Sequence, residues 1–323
     1  MNLRFISRFF LFMFISMAVA LQSQAQSYPR QTVQLISPFA PGSTNMMLRP
    51  FAEKMAEFIG QPVVVSYKPG AGGTVGAAFV ANSKPDGYTL VGTSIGSIVL
   101  GPLASKDVKF NLDSFVPVAA VAEGSLILVV PSSSTDRTMK DLVDYSKKNP
   151  GKVSYSSSGT MGAVHVLTEV AAKEAGVKWN HIAFQGSGPG VTALLGGHAD
   201  MSSSSAGPVQ AHIKAGTLRP LAVYGETRMK AYPDVPTLKE LGYNVASPIV
   251  YGLLAPKGTP KEVIDVLYDG LKKVAAKYRA EIETNLAISG AEIRLMSPEE
   301  YLAHLRGQQK LYSDAVQALS LVK

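Results

Sequence analysis

Gly92-Thr93-Ser94-Ile95-Gly96 spells G-x-S-x-G directly after a short run of buried-strand character, residues 89–92. A serine in that setting can act as an acyl-transfer nucleophile if a histidine takes its proton and a carboxylate orients the imidazole. Downstream, Asp200 with His212 or His304 could supply those partners. The spelling is short, however, and a serine at a strand end serves equally well as a neutral hydrogen-bond donor. Thr93 and Ser94 are therefore read as hydroxyl donors.

Four further loops have the same character. Pro38-Phe39-Ala40-Pro41-Gly42-Ser43-Thr44-Asn45 stands between a first strand and a first helix, where unpaired N–H groups and the helix dipole attract an anion. Ser43, Thr44 and Asn45 add hydroxyl and amide donors. Lys68-Pro69-Gly70-Ala71-Gly72-Gly73-Thr74-Val75-Gly76 is the next strand-to-helix turn, and its glycines let the backbone approach a ligand closely. It is not a dinucleotide fingerprint, because the third residue after Gly72 is Val75 rather than glycine. The loops Tyr155 to Gly162 and Phe184 to Gly190 repeat the strand, polar loop, helix order. All five loops offer neutral donors and few groups that move protons, so no catalytic residue is assigned.

The histidines at 165, 181, 198, 212 and 304 form neither H-x-x-x-H nor H-E-x-x-H, which argues against a metal site, and nothing calls for a cofactor. His165, on the helix after the serine loop, either faces a ligand or is satisfied within the core. Asp200 ends a strand and either orients a loop or touches ligand.

Positioning these loops requires alternating strands and helices, the signature of α/β architecture with largely parallel sheets. Strands are expected at 32–38, 63–67, 89–92, 153–156, 179–184, near 199 and at 221–223. Helices are expected at 48–59, from 74 to 81, and at 139–148, 163–175 and 191–195. Val263, Leu267, Leu271 and Val274 keep helical spacing, and Ser297-Pro298-Glu299-Glu300 is a capping box that starts a final helix. Two apolar stretches, 118–130 and 245–255, suit crossings between lobes. One lobe would comprise residues 26–123 and 250–323, the other residues 124–249, with two crossings making a hinge and a cleft.

The chain opens with Arg4 and Arg8 and then an apolar run over residues 9–21, too short for a bilayer span of roughly 20 residues and suited to a secretory signal. Cleavage is expected after Ala25, with Ala20 as a second choice. The sequence has no cysteine, which excludes a lipid-modified cysteine, a disulfide framework and a thiolate metal site. The remaining 298 residues carry a net charge of +5, without a run of Lys and Arg. That balance disfavours nucleic acid and fits an anionic small ligand bound by a freely diffusing, periplasmic monomer.

In order along the chain, Pro38 to Gly42, Tyr67 to Gly73, Asp86-Gly87-Tyr88-Thr89-Leu90, His181 to Gly186, Leu194 to Gly197 with Asp200, His212 to Gly216, Pro233 to Thr237 and Ala255 to Pro260 resemble the Bug or TctC family. These are the substrate-binding proteins of tripartite tricarboxylate transporters. The resemblance covers nearly the whole mature chain. It implies a two-lobed periplasmic binding protein of Venus-flytrap, type II-like form, which closes over a carboxylate and delivers it to membrane permease subunits or serves a sensor kinase. It places ligand contacts at Phe39, Pro41, Gly42, Ser43, Thr44, Asn45, Ala71, Gly72, Gly73, Thr93 and Ser94 of the first lobe. In the second lobe it places them at Ser158, Gly159, Thr160, Met161, His165, Gln185, Gly186 and Asp200.

The first loop departs from the family's Pro-Gly-Gly-x-x-Asp pattern, with Ser43 for the second glycine and Asn45, at a spacing one residue shorter, in place of the aspartate. Both changes favour an anionic group there. In the second-lobe loop Met161 stands near the usual hydroxyl position, so Thr160 is expected to replace that hydroxyl and Met161 to put an apolar chain at the pocket rim. The ligand expected from these changes is a dicarboxylate with an apolar or aromatic body.

Overall fold

The computed structural model describes residues 28–319 and 321, apart from 106 and 247. The export signal expected over residues 1–25 lies outside the described residues. In chain order the strands are β1 (Val33–Ser37), β2 (Val63–Tyr67), β3 (Thr89–Thr93), β4 (Phe115–Gly124), β5 (Leu126–Pro131), β6 (Ser154–Ser157), β7 (Asn180–Ala183), β8 (Met201–Ser205), β9 (Leu218–Val223), β10 (Ile249–Pro256) and β11 (Ala291–Met296). They form a six-stranded sheet of order β11-β4-β10-β3-β1-β2 and a five-stranded sheet of order β7-β6-β8-β5-β9. Each sheet, with the helices on it, is one lobe.

The sheets are mixed rather than mostly parallel. β1 runs parallel to β2 and β3, and β6 parallel to β7 and β8. β10 is antiparallel to β3 and β4, β11 to β4, and β5 to β8 and β9. Strand-helix-strand crossovers give parallel neighbours. The antiparallel pairs all involve β4, β5 or β10, the strands that carry the chain out of one sheet and into the other. β4 and β5 are separated by Ser125 alone, and the chain re-enters the first sheet at Ile249. Every residue of β10 is buried, as its unbroken apolar spelling requires for a strand covered on both faces.

The longer helices are α1 (Ser43–Ala52), α2 (Thr74–Ala81), α3 (Met139–Lys148), α4 (Ala163–Glu174), α5 (Ser187–Leu195), α6 (Ala206–Lys214), α7 (Lys261–Lys277), α8 (Arg279–Ile288) and α9 (Pro298–Ala318). α7 buries Ile264, Leu267, Leu271 and Val274 on one stripe. The expected cap of α9 is present: Ser297 Oγ accepts the Glu300 N–H at 3.2 Å and the Glu300 carboxylate accepts the Ser297 N–H at 2.8 Å. α1 differs from the expected 48–59. It starts at Ser43 and stops at Ala52, two residues after Pro50, whose missing N–H weakens the ladder, and a separate turn follows at Ala56–Ile59. Its earlier start makes Ser43 and Thr44 the first helical residues and so aims their N–H groups out of the helix end. Met47, Leu48 and Phe51 anchor it in the core; full burial of side chains of this kind stabilises by roughly 1.5–3 kcal/mol each.

Candidate functional site

Between the lobes lies a cavity of ≈ 30 Å³. A single water needs about 10–15 Å³ on this measure, so the space suits one group of carboxylate size. Phe39, Ala40, Ser43, Thr44 and Ser94 line it from the first lobe, Ser158, Ala163, Val164 and Ser187 from the second, and Ile249 and Tyr251 from the returning strand β10. No Lys, Arg, Asp or Glu is among them.

Three helices begin at this wall: α1 at Ser43, α4 at Ala163 and α5 at Ser187. Their N-cap residues are Gly42, Gly162 and Gly186, and none receives a side-chain cap. α3 and α9, by contrast, are closed by the capping boxes of Thr138 and Ser297. α7 and α8 also begin without a side-chain cap, so what sets the three cleft helices apart is that their starts converge on one cavity. Among the described residues the N–H groups of Thr44, Ala163 and Val164 have no protein acceptor. Each helix start carries the equivalent of about half a positive charge. Convergent helix starts with added hydroxyls make a site for an anion, held by neutral donors.

The lobes touch through backbone and serine hydroxyls. Ser43 donates its N–H and its hydroxyl to Ser187 Oγ at 2.8 and 2.9 Å and accepts the Ser205 hydroxyl at 2.7 Å. The Ala40 N–H donates to the Gln185 carbonyl at 2.7 Å. At Gly72 a β-carbon would stand 2.2 Å from the Thr160 carbonyl oxygen, and at Gly42 one would stand 2.3 Å from Ser187 Oγ. These glycines let the two lobes approach.

Of the residues expected from sequence, Phe39, Ser43, Thr44, Ser94 and Ser158 line the cavity. Gly42, Gly72, Gly159, Gln185 and Gly186 lie at the contact between lobes, as do the carbonyls of Pro41 and Thr160. Ala71 and Gly73 belong to the same first-lobe turn: the Ala71 carbonyl accepts from Thr74 Oγ1, and Gly73 packs on Phe39 and Ser97. Thr93 is fully buried and paired with Ser97 at 2.7 Å.

Four residues take other roles. Asn45 Oδ1 accepts the Tyr67 hydroxyl at 2.9 Å on an exposed side, away from the cavity wall. Thr160 presents its side chain to solvent and replaces no hydroxyl at the start of α4. Met161 is buried rather than placed at a rim. The Asp200 carboxylate accepts the N–H and hydroxyl of Ser154 at 2.7 and 2.6 Å, pinning the start of β6. Asp200→Ala is accordingly expected to lower the melting temperature while leaving the ligand-induced shift in a thermal melt unchanged.

The nucleophile geometry is not assembled either. Among the described residues no histidine hydrogen-bonds to Ser94, Asp200 is spent on Ser154, His212 is in the last turn of α6, and His304 is on α9.

His165 and His181 form a stacked pair with ring centroids 3.9 Å apart. His165 Nδ1 accepts the Met161 N–H at 3.1 Å, and His181 Nε2 lies 2.6 Å from Ser157 Oγ. Burial, with the neighbouring His181 adding a smaller push, lowers the pKa of His165 to about 3, and burial lowers that of His181 to about 4. Both imidazoles are neutral at pH 7.

Sequence reasoning left out Ala40, Ala163, Val164, Ser187, Ile249 and Tyr251. The first four lie in or beside loops singled out for their polar spelling, and the rule that helix starts bind anions could have found them. Ile249 and Tyr251 carry no motif, and the topology of β10 alone brings them to the cavity.

Two lobes, two chain crossings between them and a cleft cavity of helix starts define a periplasmic-type substrate-binding protein. More specifically, residues 47–321 match the model of the tripartite tricarboxylate transporter family receptor (TctC), and the chain belongs to that family. It is 34% identical over 310 residues to the UPF0065 protein in the gbd 5' region of Cupriavidus necator, covering 95% of this chain and 93% of the relative. The solved periplasmic binding protein BugD is similar with a TM-score of 0.87 and 30% identity, over 92% of this chain and 100% of that one. An R. palustris protein solved with adipate matches with a TM-score of 0.85 and 25% identity, over 91% and 98% of the two chains. Among the described residues no helix is long and apolar enough to cross a membrane.

Proposed function

We propose that this protein is exported to the periplasm, captures a small organic carboxylate there and delivers it to the permease subunits of a tripartite tricarboxylate transporter, acting as a binding protein and not an enzyme. The observation that carries the reading is the convergence of three uncapped helix starts and six hydroxyl side chains, Tyr251 among them, on a cavity free of charged groups. Such a wall favours a carboxylate over a cation or a neutral apolar ligand. The one titratable side chain in the lining is Tyr251, whose phenol is held protonated by burial, which supports capture without turnover. The family and the adipate-bound relative point to the same ligand class.

A dicarboxylate is the finer reading. Adipate would set one carboxylate on the helix starts, in a space of ≈ 30 Å³, with its other end towards the rim. Thermal melts against adipate and hexanoate test this. At a hundred times its Kd a ligand adds about 2.7 kcal/mol, so adipate is expected to raise the midpoint by about 5 °C or more and hexanoate by much less. Stabilisation by monocarboxylates alone would remove the dicarboxylate reading, and none by any organic acid in a broad panel would remove the carboxylate. Ester turnover lost in Ser94→Ala would overturn the assignment as a binding protein.

A further inference from the structure

We propose that the stacked pair His165 and His181 positions the second-lobe loop Ser158–Gly162, and that by fixing this loop it sets how tightly the cleft closes on ligand. The second half of this inference rests on the carboxylate-binding reading above.

The loop contains a residue that a β-carbon disfavours. Met161 has φ 57°, in the left-handed region where residues other than glycine are strained. Its side chain is buried, so the loop cannot relax by turning it into solvent. Besides the Gly162 N–H, which donates to the Gly159 carbonyl at 3.1 Å, the turn is held by the N–H of Met161, which donates to His165 Nδ1 at 3.1 Å from one turn further along α4. The other end is held in parallel. The Gly159 N–H donates to Ser157 Oγ at 3.1 Å, and that oxygen is 2.6 Å from His181 Nε2. Both anchors therefore end in one aromatic unit, two rings at 3.9 Å and an interplanar angle of 23°.

The surroundings keep the unit rigid. Tyr155 on β6 packs against His181 at 5.0 Å and His165 at 6.4 Å between centroids, and its hydroxyl donates to Glu169 on α4 at 2.6 Å. Tyr155 and Glu169 are thus the titratable neighbours, and they are bonded to each other.

The loop so fixed does two things at the cleft. Ser158 forms part of the cavity wall, and the Thr160 carbonyl with Gly159 meets Gly72 of the opposite lobe. A displaced loop would spoil both the wall and the contact that closes it. His165 acts through Met161, which makes it a positioning residue rather than a ligand contact.

The test uses the full mature protein, with adipate as ligand. His165→Asn keeps an acceptor near the position of Nδ1, whereas His165→Leu removes it. Loss of one such hydrogen bond corresponds to about tenfold, so His165→Leu is expected to raise the adipate Kd by about that factor and to speed exchange of the Met161 amide similarly in ligand-free protein. His165→Asn is expected to stay near wild type in both. Adding Met161→Gly to His165→Leu should recover much of the lost affinity, because glycine adopts the turn without help; a residue that merely fills space would show no such rescue.

Equal damage from Asn and Leu, unchanged amide exchange in His165→Leu, or absence of rescue would overturn the inference. If His165→Leu does not fold, imidazole nitrogen spectra of the wild type decide: the proton of His165 is expected on Nε2, and a proton on Nδ1 would overturn it. If wild type binds no organic acid, the functional reading falls, while amide exchange and the tautomer still judge the positioning of the loop.

Discussion

Gly72→Ala is expected to leave the ligand-free protein folded and to raise the Kd for adipate by about a hundredfold, a loss of about 2.7 kcal/mol. The new β-carbon would lie 2.2 Å from the Thr160 carbonyl oxygen, closer than any real contact of that kind. That oxygen belongs to the backbone of the other lobe, in a turn tied down by Met161 and His165, so it cannot swing away as a side chain would. The clash arises only when the lobes meet. With the lobes apart, alanine costs only the strain of φ 64°, about 1–2 kcal/mol, which appears as a modest drop in melting temperature. Blocking closure strips the ligand of the donors on one lobe, and hydrogen bonds to a charged group contribute about 1.5–3 kcal/mol each. Calorimetry gives the Kd, and small-angle scattering gives the compaction that adipate should cause in wild type and not in the variant. Wild-type affinity together with wild-type compaction would mean that the lobes close on ligand without the Gly72 contact.

How far the sequence revealed this site depended on whether a residue's role was local. The loops at Pro38, Lys68, Gly92, Tyr155 and Phe184 were legible because strand, polar loop and helix follow one another in the chain, and the anion-binding property of a helix start belongs to that local order. Roles set by tertiary neighbours were not legible. For Asp200 a loop-orienting role and a ligand contact stayed equally open until the fold placed it beside Ser154, and Asn45 looked like a ligand contact until Tyr67 claimed its carbonyl. β8, spelled Met201-Ser202-Ser203-Ser204-Ser205, has no apolar alternation to announce a buried strand. It is tolerated inside because partners from elsewhere satisfy most of its hydroxyls: Ser202 accepts from Ser156, Ser203 pairs with Tyr224, and Ser205 donates to Ser43 across the cleft. The mixed sheets were missed for the same reason, since the direction of β4, β5 and β10 is set by traffic between lobes and leaves no mark in their composition.

Between about pH 4.5 and 6.5 the wild type is expected to lose stability steeply as pH falls, and the double variant His165→Asn, His181→Gln to lose much less. In the unfolded chain both histidines titrate near 6.5, whereas folded they are held at about 3 and about 4. Below 6.5 the unfolded state therefore takes up protons that the folded state refuses, so unfolding becomes easier with each step down in pH. The stability is fully present above the unfolded pKa and is lost as pH falls toward the folded values. Each group contributes a slope of at most about 1.4 kcal/mol per pH unit, so the pair contributes up to about 2.7. His304, whose pKa is lowered by burial and then by Arg294, adds a smaller slope that the double variant retains. The lowered carboxylates, among them Glu57, Asp141 and Asp144, act below this window and do not mask it. Denaturant unfolding at a series of pH values gives the two slopes, and identical slopes would show that the pair is not held neutral. The neutral state has a use at the cleft. A cationic imidazole behind the loop would draw any anion by charge alone and would lose the lone pair that accepts the Met161 N–H. An uncharged pair keeps the turn in place and leaves the choice of anion to the spacing of helix starts and hydroxyls.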